Sequence, residues 1–199
     1  MPKQVTGLAA PLPLANVDTD VIMPKRFLIT ITREGLADGT FADLRFDDAG
    51  DIRPEFILNR KPWNVATILV VGDNFGCGSS REHAVWGLSQ LGITAVIGTG
   101  FAGIFYDNAR KNGLALPIVT ADERDRLLEL AQQGIEVAVD IENCVITAGK
   151  FSTPFQMDAA TQMALIEGRD DILDSLEYSE AIRGYEEAFG EKMKVSVLK

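Results

Sequence analysis

Hydrophobic and polar positions fall into three regimes along the chain. From residue 66 to 119, short apolar runs alternate with helical spacing. Ala66-Thr67-Ile68-Leu69-Val70-Val71 has almost no polar interruption, the pattern of a strand covered on both faces. A glycine-rich loop follows, Gly72 to Gly78. The spacing then predicts a helix from Ser80 to Leu91, with Ala84, Leu88 and Leu91 on one face and Gly92 as its stop. Ile93–Ile97 reads as a second strand, Phe101–Asn112 as a helix ended by Gly113, and Leu114–Val119 as a third strand. Such alternation predicts parallel pairing in an α/β core.

Beyond residue 120 the period changes. A polar helix is predicted over Ala121–Gln133. Glu136–Asp140, Cys144–Thr147 and Lys150–Phe155 then alternate as antiparallel strands, and helices are predicted over Asp158–Glu167 and Ser179–Phe189. The first third is irregular. Pro2, Pro11 and Pro13 punctuate its start, and Asn16-Val17-Asp18-Thr19-Asp20 reads as a polar loop before the apolar Val21-Ile22-Met23-Pro24. Phe27–Thr32 is rich in β-branched residues, and residues 33–52 read as a loop marked by Gly35, Gly39 and Gly50. No repeat or linker breaks the chain, so one domain is expected over residues 1–199, with a helical extension at about 156–199.

Composition narrows the chemistry. With 19 basic against 29 acidic residues the net charge is -10, which disfavours a nucleic-acid backbone as partner, and no polybasic cluster offers a membrane-surface anchor. No apolar run approaches a bilayer span, and no secretory leader is expected. His83 is the single histidine, and Cys77 and Cys144 are the two cysteines. A cubane iron–sulfur cluster takes three or four thiolates and a structural zinc four ligands, so no metal site is expected within one copy of the chain. Two distant cysteines also point to a reducing cytoplasm.

The segment Gly72-Asp73-Asn74-Phe75-Gly76-Cys77-Gly78-Ser79-Ser80-Arg81-Glu82-His83-Ala84 is the candidate for chemistry. A strand, a glycine loop and a helix start together offer unpaired N–H groups and a partial positive charge to an anion. Arg81 adds a planar fork suited to a carboxylate or phosphate. No lysine follows the glycines as in a P-loop, their spacing is not a dinucleotide fingerprint, and no nucleophile elbow is present. A carboxylate ligand therefore fits better than a nucleotide. Structural roles compete: Ser79 and Glu82 make a Ser-x-x-Glu capping box, His83 can orient the loop, Trp86 reads as core, and Cys77 is either a packing residue or a nucleophile near His83.

Gly76-Cys77-Gly78-Ser79-Ser80-Arg81-Glu82-His83-Ala84 resembles the G-x-G-S-S-R-E-H-A motif of the aconitase superfamily's swivelling domain. The Asn16–Asp20 segment with Ile22, Pro24, Lys25 and Phe27 resembles the opening of the bacterial 3-isopropylmalate dehydratase small subunits. Phe101-Ala102-Gly103-Ile104-Phe105, Asp170-Asp171-Ile172 and Ala181-Ile182 extend the resemblance to nearly the whole chain. It implies an α/β fold of the aconitase-type swivelling β/β/α kind, with a mixed parallel and antiparallel sheet and C-terminal helices. It also implies one subunit of a heteromeric hydro-lyase that isomerises 2- and 3-isopropylmalate through an alkene diacid, in leucine biosynthesis. The partner would be a large subunit bearing a [4Fe–4S] cluster, whose open iron acts on the departing hydroxyl.

By the same resemblance Ser79 is the base and Arg81 clamps a carboxylate of the small dicarboxylate substrate. Ser80, Arg33, Asp20, Thr19, Gly76 and Gly78 contribute to substrate binding, and His83, Glu82 and Cys77 support the loop. An Asx turn is the structural alternative for Thr19 and Asp20. The chain departs from the family pattern at Arg33-Glu34-Gly35-Leu36-Ala37 and at Gln156–Met163. The first departure leaves 2-methylmalate or a dimethylmalate open as substrate. A non-catalytic carboxylate-binding module and a stand-alone enzyme using Cys77 are the competing functions.

Overall fold

The computed structural model describes residues 3–28, 35–168, 175–176 and 178–197, the last eight of these by backbone alone. The chain divides into two compact units, residues 1–168 and residues 169–199. The first is built on a six-stranded sheet, in the order β3-β2-β1-β4-β5-β6. The strands are β1 (Gln4–Leu12), β2 (Ile68–Val71), β3 (Ala95–Ile97), β4 (Glu136–Asp140), β5 (Val145–Ala148) and β6 (Phe151–Pro154). β1, β2 and β3 are parallel, and β1, β4, β5 and β6 pair antiparallel. The sheet is thus mixed, as the change of period near residue 120 predicts.

The apolar run at 68–71 works as a two-sided wedge. Successive strand residues point to opposite faces. Leu69 and Val71 join a core with Leu12, Phe75, Ala84, Leu88 and Phe105, while Ile68 and Val70 join another with Ala9, Ile97, Leu127 and Val137. The first face carries α4 (Glu82–Gln90) and α5 (Gly103–Lys111), and the second α6 (Ala121–Gln132) and α7 (Ala159–Glu167). All four β2 side chains are fully buried, which is why the strand needs no polar alternation.

β1 is the main correction. The irregular, proline-marked start is the central strand of the sheet. Its first half, Gln4–Leu8, pairs with β4, and its second, Ala9–Leu12, pairs with β2. The carbonyls of Leu8 and Leu12 accept from the Thr67 and Gly72 amides. Pro11 therefore turns its missing donor to the other side, where β4 has already ended, and costs no ladder bond.

Residues 35–52, expected as loop, hold two short helices, α2 (Leu36–Gly39) and α3 (Ala42–Arg45), with Leu36 and Phe41 buried. The apolar stretch at 21–24 belongs in part to a single helical turn, α1 (Thr19–Ile22). The third predicted strand, 114–119, touches β3 and the residue beyond it only at Ala95–Ala115 and Gly98–Ile118, with Pro117 between. The second unit contains α8 (Ser179–Val197), on which the Tyr185 and Phe189 rings stack with centroids 5.9 Å apart.

α4 is held down through Gly87. A Cβ there would stand 2.3 Å from Met23 Cε and 2.4 Å from Thr40 Oγ1. Met23 and Thr40 are fully buried, and Thr40 is hydrogen-bonded to Leu36. A glycine-to-alanine change in a helix ordinarily gains about 1 kcal/mol. Gly87→Ala is instead expected to destabilise by about 1–3 kcal/mol through overpacking, read as a lower midpoint in urea unfolding of the chain.

Candidate active site

The loops that leave the carboxyl ends of β1, β2 and β3 meet at one edge of the sheet, the usual place for a site in an α/β fold. Residues 16–19 run beside 73–79. The Asn16 amide donates to Asp73 O (2.8 Å), Gly76 N to Val17 O (2.7 Å) and Thr19 N to Cys77 O (2.9 Å). Phe75 makes a further parallel contact with Phe101, beyond β3. Asp18 caps α1 by accepting from the Val21 amide at 2.8 Å. Thr19, next in sequence, is 2% exposed, and its hydroxyl donates to the Ser79 carbonyl at 2.9 Å.

Two glycines give the loop its path. Gly76 has φ +77°, and a Cβ there would lie 2.3 Å from Cγ of the buried Phe105 ring. Gly78 has φ +93° and passes close to Asp18 and Thr19. Asn74 also takes a left-handed conformation, φ 57°, and its amide donates to Asn16 Oδ1 at 2.9 Å. The outcome is a chain that stays tight on α1 and α5 and then emerges. Gly78, Ser79 and Ser80 are exposed, while Cys77, Arg81, Glu82 and His83 are half-buried.

Arg81 Nη1 donates to the Asp20 carboxylate. The arginine side chain is 14% exposed and the aspartate 43%. The hydrogen bond from Arg81 holds the Asp20 carboxyl below its ordinary range; desolvation opposes it, and the charges of Arg81 and Lys25 add smaller help. On the loop's far side, Asp73 Oδ1 accepts from Thr99 Oγ1 (2.6 Å) and Arg124 Nη1 (2.8 Å). These two bonds likewise depress the Asp73 carboxyl.

The capping box predicted from Ser79 and Glu82 is not formed. α4 begins two residues later than predicted, at Glu82. Its N-cap is Arg81, whose side chain makes no capping bond. Among the described residues the Ser79 hydroxyl meets no hydrogen-bond partner. Glu82 Oε1 instead accepts from Asn112 Nδ2 at 2.7 Å, and Trp86 Nε1 donates to Asn112 Oδ1 at 2.9 Å. His83 packs its ring on Trp86, centroids 4.8 Å apart. A reciprocal capping box does occur at Thr120 and Glu123, ahead of α6.

Comparison with known proteins agrees with this geometry. The family model "Aconitase C-terminal domain" matches residues 2–123. A 3-isopropylmalate dehydratase small subunit of Jannaschia sp. (strain CCS1) is 50% identical over 186 residues, 92% of either chain. One from Rhizobium meliloti (strain 1021) is 46% identical over 188 residues, covering 93% of this chain and 94% of that protein. The crystal structure of 3-isopropylmalate dehydratase from Methanocaldococcus jannaschii superimposes with a TM-score of 0.67 at 28% identity, covering 92% of this chain and 99% of that one. The chain belongs to the 3-isopropylmalate dehydratase small-subunit family.

Within this family member the structure brings together Thr19, Asp20, Gly76, Gly78, Ser79, Ser80 and Arg81, while Arg33 lies outside the described residues. Cys77 is in the loop, whereas Cys144 packs in the other core, its sulfur 3.4 Å from Gln162 Nε2. Two thiols in separate places do not fit a cubane cluster. Among the described residues no group of three or more His, Cys, Asp or Glu side chains is arranged for a metal ion, and no helix is long and apolar enough to cross a membrane. A cleft of about 850 Å³ lined by Arg26, Phe27, Asp38 and Phe46 contains none of the loop residues.

Reading the sequence alone misses Asn112, Thr99 and Arg124, whose roles come from tertiary contacts 26 to 51 residues away. The Arg81–Asp20 bond has a pH signature. A depressed carboxyl contributes stability above its unfolded value, about 4, and that contribution is lost as pH falls through the lower folded value. The Asp20 carboxyl-carbon shift, followed by NMR, is expected to titrate below the ordinary range and to return to it in Arg81→Gln. An Asp20 midpoint indifferent to that substitution would contradict the pairing.

Proposed function

We propose that the chain is the small subunit of a hydro-lyase that interconverts 2-isopropylmalate and 3-isopropylmalate through an alkene diacid, in leucine biosynthesis and in the cytoplasm. The relatives named as 3-isopropylmalate dehydratase small subunits, at 50% and 46% identity, support this substrate over smaller alkylmalates. The name small subunit implies a large one. We infer that the partner carries the [4Fe–4S] cluster, for which this chain lacks the thiols. When bound there, the cluster supplies a Lewis acid.

The observation that carries the reading is the pinned, exposed Ser79. Thr19 holds its carbonyl from the buried side, while the residue is exposed, two positions before Arg81. In the dehydration, Ser79 Oγ takes the proton from the carbon next to a substrate carboxylate. The C–H electron pair becomes the second bond of the alkene as the C–O bond of the neighbouring carbon breaks, its electron pair leaving with the oxygen as hydroxide. Hydration runs the same transfers in reverse. Such a carbon acid is weak, so the base must be an alkoxide stabilised by nearby positive charge. The start of α4 and the Arg81 guanidinium supply that charge. Arg81 has five N–H donors. One nitrogen serves Asp20, and the rest of the fork is suited to a substrate carboxylate. Ser80 and the Gly76 and Gly78 backbone complete the binding edge, with Cys77 half-buried between the two glycines.

The test uses the complex with a cluster-bearing large subunit, made by co-expression and assayed anaerobically by alkene-diacid absorbance. Ser79→Ala is expected to lower kcat by about 1,000-fold or more while the two subunits still co-elute. Near-normal turnover in Ser79→Ala would remove Ser79 as the base. Turnover of methylmalates but not isopropylmalates would overturn the substrate assignment.

A further inference from the structure

We propose that Asn112 is a positioning residue for the catalytic loop, acting by drawing Glu82 away from Ser79. The inference rests on the reading that Ser79 is the reactive group. Asn112 is the C-cap of α5 and faces the first turn of α4 across the interhelical contact. Its side chain makes three bonds. Nδ2 donates to Glu82 Oε1 at 2.7 Å and to the Asn108 carbonyl at 2.8 Å, and Oδ1 accepts from Trp86 Nε1 at 2.9 Å. An indole N–H can only donate, so the amide has one workable orientation. The oxygen faces Trp86 and the nitrogen faces the carboxylate.

The consequence lies 30 residues away in the chain. Ser79-Ser80-Arg81-Glu82 has the residues of a capping box, in which the Ser79 hydroxyl would accept from the Glu82 amide and the Glu82 carboxylate would reach back to the Ser79 amide. That arrangement would spend the hydroxyl on the helix. Asn112 offers the carboxylate a better-fixed partner, so α4 starts at Glu82, Arg81 becomes the N-cap, and Ser79 stays outside the helix with its side chain exposed. Loss of the Asn112 donor shifts the balance toward the capped form, in which Ser79 is no longer presented. Asp20 and Arg81 pair through a separate contact, so carboxylate binding is disturbed less than proton transfer.

Asn112→Asp keeps the size and the acceptor for Trp86 and removes the donor for Glu82. In the complex with the large subunit it is expected to lower kcat about tenfold with KM changed less than about threefold. Adding Glu82→Gln restores a donor–acceptor pair with its direction reversed, and is expected to return kcat to within about threefold of wild type. In the chain alone, NMR backbone shifts at Ser80 and Arg81 are expected to be non-helical in wild type and helical in Asn112→Asp, with Ser79 as the non-helical N-cap. A folded Asn112→Asp complex with wild-type kcat, or a double variant no faster than the single, overturns the proposal. Should Asn112→Asp not assemble, Trp86→Phe is measured in its place. It removes the N–H that orients the amide while keeping an aromatic ring beside His83, and wild-type kcat there overturns the proposal equally. A wild-type complex that fails on isopropylmalate, with the backbone shifts at 80–81 still switching in the variant, supports the positioning role and counts against the proposed reaction.

Discussion

The hydroxyl of Thr19 is the contact on which the site's geometry depends. It is almost fully buried, at 2% exposure, and a buried hydroxyl without a partner costs about 1–3 kcal/mol. Its partner is the Ser79 carbonyl. The amide of the same threonine is bonded to Cys77 O, so one residue grips the loop at two points two residues apart. With the carbonyl of Ser79 taken inward, the residue has its backbone anchored on the fold and its side chain left at the surface. The anchor holds because residues 16–19 continue β1 and residues 72–79 continue β2, and those strands lie side by side in the sheet. Pairing that begins in the core thus extends past the strand ends into the loops.

The glycines and the charged pairs follow from that seam. A loop pressed between α1 and α5 has no room for a Cβ at residue 76, where the Phe105 ring lies, and it must turn through left-handed conformations to stay there. Asp73 at one end is gripped by Thr99 and Arg124, and Arg81 at the other by Asp20. Each end of the loop therefore carries a carboxylate–guanidinium bond to a different element, and the exposed stretch between them is short. Rigidity comes from several elements over-determining one segment, which is how a surface loop can hold a reactive group in fixed geometry.

The parts of this arrangement legible in sequence are those set by local pattern. β2, α4, α5, α6 and the antiparallel strands announce themselves by period, and the Gly76–Ala84 motif announces the loop. β1 was hidden because its prolines and its change of partner midway both argue against a central strand. Only the pairing register shows that Pro11 faces a side with no strand to serve. α2 and α3 were hidden among polar residues and glycines, since a helix of a single turn has no period to detect. The capping box was misassigned for a different reason. Ser79 and Glu82 do have the right local chemistry, and a residue 30 positions away outcompetes it. Local propensity yields to a tertiary hydrogen bond at the place where the proposed reaction needs a reactive hydroxyl, which is where conflict between local and global preference is expected.

An exposed serine and a partly shielded arginine are also weak tools by themselves. In water an alkoxide is strongly disfavoured, and a guanidinium screened by solvent stabilises a developing carbanion by little. The fold supplies orientation but leaves Gly78, Ser79 and Ser80 uncovered. Under the proposed function, desolvation comes from a surface laid over this edge, and the same surface brings the Lewis acid that two separated thiols do not fit. A division of labour follows from the physics. On the proposed reading, the base and the carboxylate fork are built at the strand ends of one chain, the enclosure that makes them strong arrives with the other, and proton abstraction is confined to the assembled complex.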